Sequence, residues 1–179
     1  MFKTLTSMAA FVGCATILSA QVVADAYKVT YFSNAHTIDA PDATVQVTNA
    51  GTNGAADICP YFFVFDQNQE MSECCECQLS ANGLTTFSVD NALTANPLTG
   101  VTLKRGTIKI VALSCTAGQP SPGVRAWATH IQNNFAITEG VFPDAGLSAA
   151  ELTRLENDCN AIEEVGSGHG FCYCPNNGA

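Results

Sequence analysis

The sequence predicts a mostly β protein, an antiparallel β-sandwich of immunoglobulin-like kind, with one C-terminal α-helix and a framework of disulfides. Three observations carry that prediction. Seven or eight short apolar segments follow one another with turn chemistry between them. Only one segment switches to helical spacing. Eight of the nine cysteines lie downstream of an export-type N-terminus. A closed barrel is the runner-up. Nothing alternates as strand, helix, strand, so a parallel α/β sheet is not expected.

Taken in order, Met1 to Lys3 supplies a positive start and an apolar run extends from about Met8 to Val23. Ala24-Asp25-Ala26 has small residues where an A-x-A cleavage site needs them. The run is short for a membrane span, which takes about 20 residues. Residues 1–26 therefore read as a cleaved signal peptide. The mature part, 27–179, then reads as a single β-rich domain that includes the helix and a cysteine-containing tail. A lipoprotein signal using Cys14 is the alternative, but apolar residues continue past that cysteine.

Tyr27 to Phe32 and Ala43 to Thr48 alternate at period two, as half-buried strands do. Asn49 to Gly54 is a turn, and Asn53-Gly54 favours positive φ. Ile58 to Phe65 is almost wholly apolar, which predicts a strand buried on both faces. Pro60 cannot donate to a ladder and argues for a strand start or an edge there. Asp66 to Ser80 is polar, carries three cysteines and reads as a long loop. Asn82-Gly83 is a second turn, and Leu84 to Val89 a strand. Asn96 to Gly100 is a turn before a short Val101 to Leu103 segment. Thr107 to Ser114, Val124 to Ile131 and Phe135 to Phe142 complete the strands. Ser148-Ala-Ala-Glu151 then fits a capping box, with Ser148 as cap and Glu151 reaching back to its amide. Leu152, Leu155, Cys159 and Ile162 form one apolar stripe, which predicts a helix over 149–165 stopped near Gly166.

After the signal the cysteines are Cys59, Cys74, Cys75, Cys77, Cys115, Cys159, Cys172 and Cys174. An even set in an oxidising compartment predicts disulfides. Adjacent Cys74 and Cys75 should each bond elsewhere, because a vicinal bridge is strained. Cys159 lies on the helix's buried stripe, so a disulfide should pin the helix to the body. The tail cysteines Cys172 and Cys174 should staple back onto the 66–80 segment. A thiolate metal site is the rival reading, but the spacings within Cys74-Cys75-Glu76-Cys77 and Cys172-Tyr173-Cys174 suit structural zinc poorly.

Acidic residues outnumber basic ones 16 to 7, for a net charge of −9. Phosphate backbones and anionic membrane surfaces repel such a chain, so no nucleic-acid partner is expected, and no membrane span in the mature chain. Lys104-Arg105, the adjacent basic pair, reads as part of a turn.

Few residues suggest chemistry. Asp66-Gln-Asn68-Gln-Glu70 opens like a calcium loop, but Met71 stands where the loop glycine belongs and Cys77 where the bidentate glutamate belongs. A looser calcium site from Asp66, Glu70, Glu73 and Glu76 is the weak alternative to a solvated acidic loop. His36, His130 and His169 have no metal-ligand spacing. Gly166-Ser-Gly-His-Gly170 has neither the strand before it nor the helix after it of a dinucleotide fingerprint. Trp127 and Tyr61-Phe62-Phe63 could line a cleft, though core packing is the plainer reading. No catalytic residue and no cofactor beyond calcium is expected.

Val64-Phe-Asp66, Gln69-Glu-Met71, Glu73 to Cys77, Asn96 to Gly100, Leu147 to Leu152 and Gly166 to Gly168 with Cys172 and Cys174 together resemble a group of secreted, Cys-rich bacterial proteins of no assigned activity. The resemblance spans most of the mature chain and implies a bacterial, exported origin. It supplies no substrate and no catalytic residue.

The expectation is therefore a secreted structural or interaction module of the cell surface or extracellular matrix. Its partners would be other extracellular chains or copies of itself, joined through strand addition with Tyr27 to Phe32 as candidate donor. The alternatives are an extracellular module for a small ligand, carbohydrate or calcium, and a secreted enzyme. A redox enzyme is disfavoured by the missing C-x-x-C.

Overall fold

The computed structural model describes residues 23–95, 100–165 and Cys174. Among the described residues eight strands, β1 (Tyr27–Ser33), β2 (Thr44–Asn49), β3 (Ile58–Asp66), β4 (Met71–Glu76), β5 (Leu84–Ser88), β6 (Arg105–Ser114), β7 (Val124–Ile131) and β8 (Ile137–Val141), precede one α-helix, α1 (Ala149–Val165), and a single π-helical turn, Val89–Leu93, follows β5. The strands form two four-stranded antiparallel sheets, β1-β6-β3-β4 and β5-β2-β7-β8, referred to below as sheets A and B. The sheets are separate and face each other across one core, so the barrel alternative does not hold. The chain crosses between them five times, and only β3-β4 and β7-β8 are consecutive neighbours.

The apolar pattern of each strand reports how many of its faces are covered. Sheet A lies between sheet B and α1. On β3, Phe62 and Val64 enter the core between the sheets, while Phe63 and Phe65 enter a second core under the helix. On β6, Ile108, Ile110 and Ala112 point one way and Val111 and Leu113 the other. β3 is therefore almost continuously apolar, and β6 is so over Ile110 to Leu113. Sheet B has one covered face, so β2 alternates, with Val45 and Val47 inside and Gln46 and Thr48 outside.

Pro60 lies within β3, opposite Ala112. Its carbonyl accepts from the Cys77 amide at 3.1 Å, and Ile58 bridges Leu79 beyond it. Pro60 is thus neither at the strand start nor at an open edge; its missing N–H falls on the side where β4 has ended and only the 77–79 segment continues the pairing.

Three further expectations change. Asp66 to Ser80 is not one loop: a tight turn at Asp66–Glu70 returns the chain as β4, which pairs with β3 from Tyr61↔Glu76 to Phe65↔Met71. The polar β4 sequence stays extended because its backbone completes the β3 ladder and its cysteines are anchored. Val101 to Leu103 forms one isolated bridge, Ala95↔Thr102, and no strand. Arg105 opens β6 and leaves only Lys104 in the bend before it.

The helix begins as expected with Ser148 accepting from the Glu151 amide at 3.1 Å. Glu151, however, turns away from the cap. Its carboxylate takes Lys109 at 2.7 Å, Arg154 at 3.0 Å and the Tyr27 hydroxyl at 3.2 Å. Two cations and a phenol outweigh one backbone amide. No helix among the described residues is long and apolar enough to cross a membrane.

Candidate functional site

Disulfides dominate the cysteine chemistry. Cys59–Cys115, Cys74–Cys159 and Cys77–Cys174 are bonded, and Cys75 is disulfide-bonded as well. Cys74–Cys159 ties β4 to α1, and Cys77–Cys174 brings the tail back to the chain just after β4. Both staples follow the sequence expectation; Cys172 and His169 lie outside the described residues. The Cys74, Cys159 and Glu163 atoms gather closely enough for a metal, but the two sulfurs are bonded to each other and offer no thiolate.

The four acidic residues weighed for calcium do not converge. Asp66 spends its oxygens on its own turn, accepting from the Asn68 and Glu70 amides at 2.7 and 2.9 Å. Glu70 is exposed. Glu73 pairs with Val64 and so shares its inward face, whereas Glu76 pairs with Tyr61 on the opposite face of sheet A. Strand alternation thus puts the sheet between the two glutamates.

Glu73 is the outlier of the group. It is 1% exposed, and neither carboxylate oxygen has a hydrogen-bond partner. Burial alone pushes its pKa up to about 8. It stands near neutrality as a protonated acid in the core rather than as a cation ligand. Sequence reasoning missed it because a glutamate in a polar, cysteine-rich stretch looks solvated.

The two described histidines, His36 and His130, both contact neighbouring side chains. His130 is buried on β7 and stacks on Tyr31 of β1 with ring centroids 4.3 Å apart. Burial lowers its pKa, opposed by a hydrogen bond to the Tyr31 backbone. His36 sits in the β1–β2 connection and meets the Thr94 hydroxyl at 2.9 Å. Phe62 and Phe63 are core residues, and Phe62 lies tilted against Phe87 at 4.6 Å. Tyr61 and Trp127 instead border the two concavities described next.

The first concavity, about 340 Å³, lies between α1 and the outer face of sheet A. Phe63, Val111 and Leu113 floor it, Leu152 and Cys159 form the helix wall, and Glu156, Asn160, Glu163 and Tyr61 ring the mouth. The second is a shallow groove on the outer face of sheet B around Trp127, bordered by Gln46, Thr48, Leu84, Glu139 and Val141. Register explains the grouping. Thr86, Gln46, Trp127 and Val141 stand in one row across β5, β2, β7 and β8.

The sheet edges differ sharply. The candidate donor β1 is held on both sides. It pairs with β6 from Tyr27 to Ser33, and its outer edge meets Pro143 and Ala145 through the Val29 amide and the Tyr27 carbonyl. Its Tyr31 backbone takes the His130 ring. β8 lies at the opposite extreme. The Phe142 amide donates to Ala126 and the Gln132 amide to Ala136, which fixes even-numbered residues toward β7. Ile137, Glu139 and Val141 therefore turn their amides and carbonyls out of the sheet. Ile137 and Val141 are also 57% and 63% exposed.

Comparison with family models, with curated proteins and with solved structures finds no match to this chain.

Proposed function

We propose that this chain is an exported interaction module of the cell surface or extracellular matrix, which joins other chains, copies of itself included, by strand addition. The observation that carries the reading is the β8 edge, which is open among the described residues. An edge strand with unpaired backbone groups and exposed branched side chains is a template for another strand, and native edges are ordinarily blunted by lysine, proline or a cover. Its one charged side chain is Glu139. The disulfides support an oxidising, extracellular setting. The resemblance to secreted Cys-rich bacterial proteins supports export, and two packed antiparallel sheets with crossing connections support an immunoglobulin-like kinship.

Strand addition moves from β1 to β8 in this reading, because β1 could be donated only by stripping β6. Light scattering with electron microscopy of the secreted protein is the test. Wild-type material should assemble, and Glu139→Pro should be monomeric, because it removes an outward N–H without touching the β7 ladder. A wild-type protein that stays monomeric, or a Glu139→Pro variant that assembles unchanged, removes the strand-addition reading.

A carbohydrate-binding role is the second reading, favoured by the row through Trp127. An indole bordered by Gln46, Thr48 and Glu139 offers a stacking face beside neutral and acidic hydrogen-bonding groups.

A further inference from the structure

We infer that the β8 edge is a self-complementary dimer surface: a second copy of β8 adds antiparallel across a two-fold axis at Glu139, and the assembly closes there. This rests on the strand-addition reading and names its partner, register and size. The pattern about Glu139 is the same in both directions, with an exposed branched residue two positions away on either side, Ile137 and Val141. An antiparallel second copy therefore sets Ile137 across from its Val141, and Val141 across from its Ile137. Val141 stands beside Trp127 on the outer face of sheet B, so the apolar row continues over the seam. The same patch serves both copies, which makes the contact isologous and closed rather than an open chain.

Hydrogen bonding selects the register. Among the described residues the outward amides and carbonyls of β8 are those of Ile137, Glu139 and Val141, and residues opposed in this way exchange two bonds. Pairing about Glu139 uses all three positions of each copy, which gives three such pairs. Sliding the second copy by two residues leaves two. In one direction Ile137 would meet Pro143, which has no N–H and whose carbonyl already accepts from Val29. In the other Val141 would meet Phe135, which has a left-handed φ of 61° and an amide that donates to Gln132. The full register sets Glu139 against Glu139, and like charges directly opposite weaken pairing by up to about fivefold. The two extra hydrogen bonds strengthen it by about two- to twelvefold each. Slipping would also face each Glu139 with an apolar side chain. The full register therefore wins, and the glutamate pair sets its strength.

Sedimentation equilibrium with native mass spectrometry of the intact disulfide-bonded protein tests this. Wild type should form a dimer and nothing larger. Glu139→Gln should tighten it by about two- to fivefold. Wild type mixed with Glu139→Lys should give a heterodimer at least about threefold tighter than either homodimer, because unlike charges then face each other. No preference in the mixture, or oligomers beyond the dimer, overturns the two-fold register and leaves strand addition standing. A monomeric wild type, or a Glu139→Pro variant that still dimerises, overturns both.

Discussion

Glu73 and Glu151 are two glutamates that the structure drives in opposite directions. Glu73 on β4 has lost water and gained no partner, so its pKa rises to about 8. Burial would raise Glu151 too, but hydrogen bonds from Arg154 and Lys109, with their charges, bring it down to about 2. The linkage signs follow. Between about pH 4.5 and 8 the folded chain holds the Glu73 proton and the unfolded chain does not. Stability is therefore full below 4.5 and falls as pH rises through 8, by roughly 5 kcal/mol at one pKa unit per 1.36 kcal/mol. The Glu151 contribution is present above 4.5 and is lost as pH falls toward 2, by about 3 kcal/mol on the same scale. Thermal melts from pH 2 to 9 should therefore peak near pH 4 to 5. Glu73→Gln should flatten the alkaline limb and leave the acid limb intact, whereas an unchanged alkaline limb would contradict the buried acid. Neither behaviour was readable in the sequence. Glu73 and Glu76 look alike there, and only the β3 register places one inside and the other outside.

At the scale of elements, legibility followed the number of covered faces. β3 announced its double burial as an almost unbroken apolar run, and β2 announced one covered face by alternation. α1 carried a cap and a stripe, and its bounds agree with those expected from the sequence. β4 did not announce itself, because Glu73 occupies a core-facing position and cysteines fill two others. The capping box was half legible: Ser148 caps, but besides Arg154 in the same helix Glu151 takes partners from β1 and β6, over 40 residues away in sequence. β8 yields a paired test of the strand-addition reading. Thr138 faces β7 opposite His130 and contributes to the ladder. Thr138→Pro should cost at least about 1 kcal/mol for that lost hydrogen bond, while Glu139→Pro one residue on should stay within about 1 kcal/mol of wild type. Chemical denaturation of both variants checks this. Equal losses would mean that β8 is not the open edge described.

The described part of the molecule is three layers, helix, sheet A and sheet B, and Cys74–Cys159 ties the helix to sheet A. Cys74–Cys159 spans 85 residues, Cys77–Cys174 spans 97 and Cys59–Cys115 spans 56. In the chain-entropy model each alone stabilises by about 4 to 5 kcal/mol, and nested loops contribute less than the sum. The cysteine count and the export-type N-terminal pattern made a disulfide framework legible; the pairings were open beyond two guesses, because only the packing of α1 on β4 selects Cys159 for Cys74. The packing also bears on processing. Ala26 is fully buried and its carbonyl accepts from the Ala112 amide at 2.8 Å. Asp25 bridges Arg125 at 2.9 Å and Lys28 at 3.8 Å, and Lys28 also pairs with Asp144. A cut after Ala26 would discard these contacts, so the mature chain should start at or before Asp25.

Peptide mapping with intact mass on the protein recovered from its native source, without reductant, tests the proposal of a stapled, exported sandwich most directly. The account predicts Cys59–Cys115, Cys74–Cys159 and Cys77–Cys174, no free thiol, and an N-terminus that retains Asp25. Reduced cysteines, different partners for Cys74 or Cys77, or a chain that keeps Met1 would contradict it.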